Sequence, residues 1–176
     1  MKFGNTFVEL EKAIHDRVSF DCDEEELNSF LKTQAVKHMK AGISKTFVLQ
    51  AATPLSNNKY PICSYYTVAP SSIKKTTLPA KQAKKLPHYP VPVFLLAQLA
   101  VHKDCQGQNL GKITLIKALE FLCEINSQMC AFAIVVDCLN QRVEQFYAKY
   151  GFQILCNQNG KTRMFIPMKT VIKLFE

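Results

Sequence analysis

Apolar and polar positions recur along this chain at two periods. Leu27, Phe30, Leu31 and Ala35 follow the acidic run 21–26 at helical spacing, and Lys37, His38 and Lys40 precede Gly42. This pattern predicts a helix opened by an Asp23/Glu26 capping pair. Acid at its start and base at its end both complement the helix dipole. Residues 3–20 predict a strand near their start. Residues 46–49 and 62–68 predict two strands around a hairpin loop at 54–59. Residues 70–92 are Lys-rich and Pro-punctuated and predict a connection with one short element. Residues 93–101 and 130–137 are apolar, β-branched and short, which predicts buried strands. Between them Ile113, Ile116, Leu119, Leu122 and Cys123 predict a helix over 111–125. Asn140 caps a further predicted helix carrying Val143, Phe146, Tyr147 and Tyr150, with Gly151 at its end. Segments 152–156 and 163–168 predict a hairpin turning at Asn159-Gly160, a type I′ dipeptide. The order is that of an α/β protein with a mixed central sheet flanked by helices.

Composition narrows this picture. A length of 176 residues with 48% hydrophobic content suits a single packed domain over 1–176. No apolar run approaches the ~20 residues needed to span a bilayer, and the first residues lack a secretory pattern. The expectation is a cytoplasmic protein with no membrane partner. The seven cysteines are odd in number, with no C-x-x-C pair, and the four histidines have no metal-ligand spacing. Buried, reduced thiols are expected, and no metal.

Charge changes the picture more. Residues 1–26 carry three basic and eight acidic side chains, whereas residues 27–103 carry eleven lysines and no acid. Lys74, Lys75, Lys81, Lys84, Lys85 and His88 crowd one connection. Lys32, Lys37 and Lys40 share the first helix, and Lys149, Lys161 and Arg163 lie near the last helix and hairpin. Such a field attracts polyanions and repels cationic substrates. These side chains can hold nucleic-acid phosphates, or they are lysines solvated on loops. Tyr65 and Tyr66 are either base-stacking or core residues.

The segment with most chemistry is 99–112. A strand ends near Val101, a polar loop with Gly107 and Gly111 follows, and a helix begins beside Lys112. Free N–H groups at a helix start bind pyrophosphate, and glycine lets a ligand approach the backbone. The glycines also suit an ordinary strand–turn–helix connection. Gly111-Lys112 is followed by Ile113, so this is no Walker loop, and G-x-G-x-x-G is missing.

Gln106-Gly107-Gln108-Asn109-Leu110-Gly111 resembles the coenzyme A loop of GNAT-type N-acetyltransferases. Asn109 stands where that pattern has its first glycine, and asparagine tolerates left-handed backbone. Asn140 to Phe152, N-x-x-V-x-x-F-Y-x-x-Y-G-F, resembles the family's late helix. Phe20-x-Cys22, Leu27-Asn28-Ser29-Phe30-Leu31-Lys32, Thr46-Phe47-Val48, Pro90-Val91-Pro92-Val93 and Leu96-Ala97-Gln98-Leu99-Ala100-Val101 resemble GNAT toxins of toxin–antitoxin pairs, which acetylate the amino group of aminoacyl-tRNA. The resemblance implies a GNAT fold and acetyl-CoA as donor. It implies pyrophosphate on Gln106, Gly107, Gln108, Asn109, Leu110, Gly111 and Lys112, with the pantetheine along Leu99, Ala100 and Val101. The Leu99 N–H would then face the thioester oxygen. Asn140 and Phe146 would line the cofactor, and Tyr147 would be the general acid. Implied partners are aminoacyl-tRNA, a ribbon-helix-helix antitoxin and a second copy of the chain.

No histidine or carboxylate stands out as a strong general base. That favours an α-amine, whose pKa is about 7.7–8.0, over a lysine amine near ~10.4. Two other readings stay open: a GNAT enzyme for a small-molecule or protein amine, and a non-catalytic RNA- or CoA-binding module.

Overall fold

The computed structural model describes residues 1–176. Its strands are β1 (Val8–Glu9), β2 (His15–Asp16), β3 (Lys45–Gln50), β4 (Tyr60–Ile73), β5 (Val91–Val101), β6 (Ala133–Cys138), β7 (Gln153–Gln158) and β8 (Lys161–Pro167). The helices are α1 (Glu25–Ser29), α2 (Ala35–Lys40), α3 (Ala80–Ala83), α4 (Leu110–Gln128), α5 (Gln141–Ala148) and α6 (Met168–Lys173). The sheet has eight strands in the order β1-β3-β4-β5-β6-β8-β7, with β2 beside β4. The pairing is mixed as expected: β5 and β6 run parallel, and β3–β4, β6–β8 and β7–β8 run antiparallel. No helix is long and apolar enough to cross a membrane.

The chain divides into two compact units, Met1–Ala69 with Ala97–Ala118, and Pro70–Leu96 with Leu119–Glu176. In the first, Leu31 and Ala35 are fully buried with Phe20, Val48, Ile62, Tyr65 and Ala100. Leu27, Phe30, Val36 and Met39 pack against this cluster, so the helical spacing of the apolar residues marks the buried face. The helix is nevertheless broken by a π-helical turn at Phe30–Gln34. Its start also differs from expectation. Glu24 is the N-cap and makes no side-chain cap, while Asp23 sits at φ 65° and donates its N–H to Asp21 Oδ1. A second cluster joins Leu49, Ala51, Cys63, Cys105 and Leu110. Tyr65 and Tyr66 are both buried core residues. The Tyr65 hydroxyl donates to the Leu27 carbonyl at 2.8 Å.

In the second unit Ile73, Val91, Val93, Ala133, Val135 and Phe165 form the core. The Asn140 side chain accepts the Val143 N–H at 3.1 Å, so α5 is capped as its sequence predicts. Asn159 and Gly160 have φ of 52° and 77°, the left-handed pair that a type I′ turn requires. The seven cysteines are free. Cys130 is exposed, and Cys123 and Cys156 are half-buried, against the expectation that all would be buried.

Candidate functional site

The polar loop leaves β5 through a 3-10 turn at Lys103–Cys105. Gln106, Gly107, Gln108 and Asn109 are all exposed. Gly107 has φ 78° and Asn109 has φ 59°, so both positions adopt left-handed backbone. Only glycine takes that conformation without strain, and asparagine is among the best of the rest. Asn109 therefore does conformationally what a glycine does in this loop. Its carbonyl accepts the Ile113 N–H at 3.1 Å, which puts it immediately ahead of α4. The first N–H groups of a 19-residue helix thus follow an exposed loop, and the dipole and free donors at that end suit an anion.

Packing holds this helix start in place. Leu110 is 1% exposed within the second cluster. Its side chain is therefore core, and only its backbone can serve a ligand. Thr114 Oγ1 bonds the Leu110 carbonyl at 2.7 Å and Ser64 Oγ at 3.0 Å. Gln106 Nε2 donates to the Val101 carbonyl at 3.1 Å. Gly111 is half-buried and Lys112 is exposed beside the loop. On β5, Leu99 and Val101 are half-buried, and Ala100 is 4% exposed. The register of β5 with β6 runs from Val93–Leu95 against Ala133–Val135.

In the second unit, Tyr147 on α5 is 6% exposed. Its ring lies 5.2 Å from Phe146 and 5.1 Å from Phe152, and Phe146 also packs on Tyr150 at 5.2 Å. Phe146 and Phe152 thus flank the Tyr147 ring, and Tyr150 backs Phe146. Burial, then the neighbouring Cys138, raises the Tyr147 phenol above its ordinary value. Burial pushes the Cys138 thiol up to about 11. Both groups therefore hold their protons at neutral pH, and Tyr147 can act as a donor but not as a base. The Asn140 Oδ1 is occupied as the α5 cap.

The candidate phosphate ligands separate by environment. Lys37, Lys40, Lys74, Lys81, Lys84, Lys85 and Lys149 are exposed, and Lys32 is half-buried. Lys74 and Lys75 line an open groove of about 590 Å³ together with Thr76, His88 and Tyr89. Lys75 Nζ donates to the Leu86 carbonyl, so part of its donor capacity is spent within the connection. Arg163 overturns the expectation that it faces nucleic acid. It is 9% exposed and grips Asp137 with two hydrogen bonds of 2.7 and 2.8 Å. The two residues are register partners on β6 and β8, and this cross-strand pair absorbs the guanidinium. Tyr89, which the sequence reading passed over, is 67% exposed. An exposed aromatic between Pro87 and Pro90 was the available signal.

The mixed sheet and the left-handed loop at the start of α4 are features of the GNAT acetyltransferase fold, and residues 82–152 match the Acetyltransferase (GNAT) family. Within that class the chain is similar to toxins. It is 28% identical over 139 residues to a tRNA-acetylating toxin of Mycobacterium tuberculosis (strain ATCC 25618 / H37Rv), covering 79% of each chain. It matches the structure of AtaT complexed with acetyl-methionyl-tRNAfMet with a TM-score of 0.85 and 29% identity, over 97% of this chain and 99% of that one. It also matches a tyrosine-to-phenylalanine mutant of AtaT bound to the C-terminus of the antitoxin AtaR and acetyl-CoA, with a TM-score of 0.79 and 25% identity, over 97% of both chains.

Proposed function

We propose that this protein is a toxin that transfers acetyl from acetyl-CoA to the α-amino group of aminoacyl-tRNA and so blocks translation. The observation that carries the reading is the exposed 106–109 loop, with its left-handed Gly107 and Asn109 at the start of α4. The tRNA-acetylating activity of its relative and the acetylated tRNA bound by AtaT support the choice of acceptor. The lysine-rich groove with the exposed ring of Tyr89 suits phosphates and an unstacked base.

Bound acetyl-CoA supplies an activated thioester. The backbone of residues 106–112 and Lys112 would hold its pyrophosphate, and the Leu99–Val101 edge would orient the pantetheine. The Leu99 N–H would stabilise the oxygen that becomes negative as the amine attacks. Tyr147 would be the residue that supplies a proton to the departing thiolate. The proton released by the attacking amine balances the one spent on the thiol. An α-amine needs no strong base at neutral pH, because a useful fraction is already uncharged.

The protein is further proposed to act as one catalytic domain over residues 1–176, to pair with a second copy, and to be neutralised by a ribbon-helix-helix antitoxin. The antitoxin bound to AtaT supports the last role. The test is thiol release from acetyl-CoA with three acceptors. Charged tRNA releases free CoA, while deacylated tRNA and a polyamine do not. Equal release with the polyamine refutes the assignment of acceptor.

A further inference from the structure

Asn28 is an amide only 4% exposed, and its contacts all point to one turn. Its Oδ1 accepts the Cys22 N–H at 2.9 Å and the Cys22 thiol at 3.1 Å, and its Nδ2 donates to Asp21 Oδ1 at 2.9 Å. A buried amide with both ends satisfied fixes the backbone it bonds. The fixed turn then holds a segment some 80 residues further along. The Asp21 carbonyl accepts the Lys103 N–H at 2.8 Å, and Asp21 Oδ2 accepts Lys103 Nζ at 2.8 Å. The Cys22 carbonyl accepts Gln106 Nε2 at 3.4 Å. Lys103 opens the turn that leads into the loop, and Gln106 is the first loop residue.

The geometry points to Asn28 and Asp21 as positioning residues for acetyl-CoA: they brace the Lys103–Gln106 connection and so fix where the 106–112 loop leaves β5. This rests on the reading of that loop as the acetyl-CoA site. The brace is separable from a field effect by sign. A carboxylate close to an anion-binding loop opposes the anion, so by charge alone its removal strengthens binding. As a brace, its removal lowers the fraction of loop in the competent conformation and weakens binding by that fraction.

The experiment is calorimetric titration of acetyl-CoA into the wild type, Asp21→Asn, Lys103→Met, the double variant and Asn28→Ala. Asp21→Asn keeps the shape of the side chain, so it stays informative where Asn28→Ala unfolds the turn. The expected result is a Kd raised ~2–5-fold by Asp21→Asn. Lys103→Met acts similarly, and the double variant is no weaker than either single one, because both changes break one pair. At saturating acetyl-CoA, kcat stays within about twofold and the KM for the acceptor is unchanged. A Kd that stays the same or falls in Asp21→Asn overturns the brace. Additive losses overturn it as well, because they show that the two residues act independently rather than through one shared pair. A wild type that does not bind acetyl-CoA overturns instead the reading of the loop itself.

Discussion

Replacing Asn109 by valine isolates the conformational demand of the loop. The residue has φ 59° and its side chain is exposed, so no packing is lost on substitution. What changes is the cost of left-handed backbone, about 1–2 kcal/mol for an ordinary L-residue and highest for a β-branched one. Asparagine bears less of this cost and glycine almost none. If the penalty falls on the loop alone, the competent fraction drops ~5–30-fold and the Kd for acetyl-CoA rises by that factor. If the fold forces the conformation, the same free energy appears as lost global stability. Calorimetry of acetyl-CoA binding and a denaturant midpoint, measured together, capture both routes. Asn109→Gly should bind as the wild type does or more tightly. The reasoning is refuted if Asn109→Val changes neither Kd nor stability, or if Asn109→Gly weakens binding as much as valine does.

Other outcomes follow from the same geometry. Tyr147→Phe should lower kcat by ~10²–10⁴-fold with little change in acetyl-CoA affinity, read in single-turnover assays; an unchanged kcat removes Tyr147 as the acid. Asp137→Ala leaves the nearly buried Arg163 guanidinium without its partner and should cost roughly 2–4 kcal/mol in denaturant unfolding, whereas a loss below about 0.5 kcal/mol would mean water replaces the carboxylate freely. Lys84→Glu with Lys85→Glu should weaken tRNA binding and flatten its salt dependence; an unchanged slope places the phosphates elsewhere. Burial, partly offset by bonds from Gln50 and the Glu11 backbone, lowers the His15 pKa. The unfolded chain therefore takes up that proton first, so His15's share of stability is complete above about pH 6.5 and is lost as pH falls through its lower folded value. His15→Gln should remove that part of the acid sensitivity in thermal melts, and identical profiles would contradict it.

Local rules made much of this chain legible. Asn159-Gly160 and the Asn140 cap are decided by neighbours within a few residues, and the structure realises both. Asn109 was readable for the same reason, since its left-handed φ is a property of one residue type in one loop. Features decided across the sheet were not readable. Arg163 finds Asp137 only through the register of β6 with β8, so in sequence it looked like a free surface cation. Asp21 and Lys103 are 82 residues apart, and the role of the Asn28 amide is invisible until that separation closes. The π-helical turn at Phe30–Gln34 leaves the buried face of its helix intact, so the apolar spacing could not reveal it. The C-terminal helix α6 was missed because it is only six residues long, too short for a periodicity to show.

The most direct test of the account is to identify the atom that receives the acetyl group. Incubating the protein with acetyl-CoA and charged total tRNA, then digesting to terminal adenosine and analysing by mass spectrometry, reads this out. The account predicts N-acetyl-aminoacyl-adenosine, dependent on the protein and abolished or slowed by Tyr147→Phe. Aminoacyl-adenosine that remains unmodified, while acetyl-CoA is consumed on another amine, would contradict it.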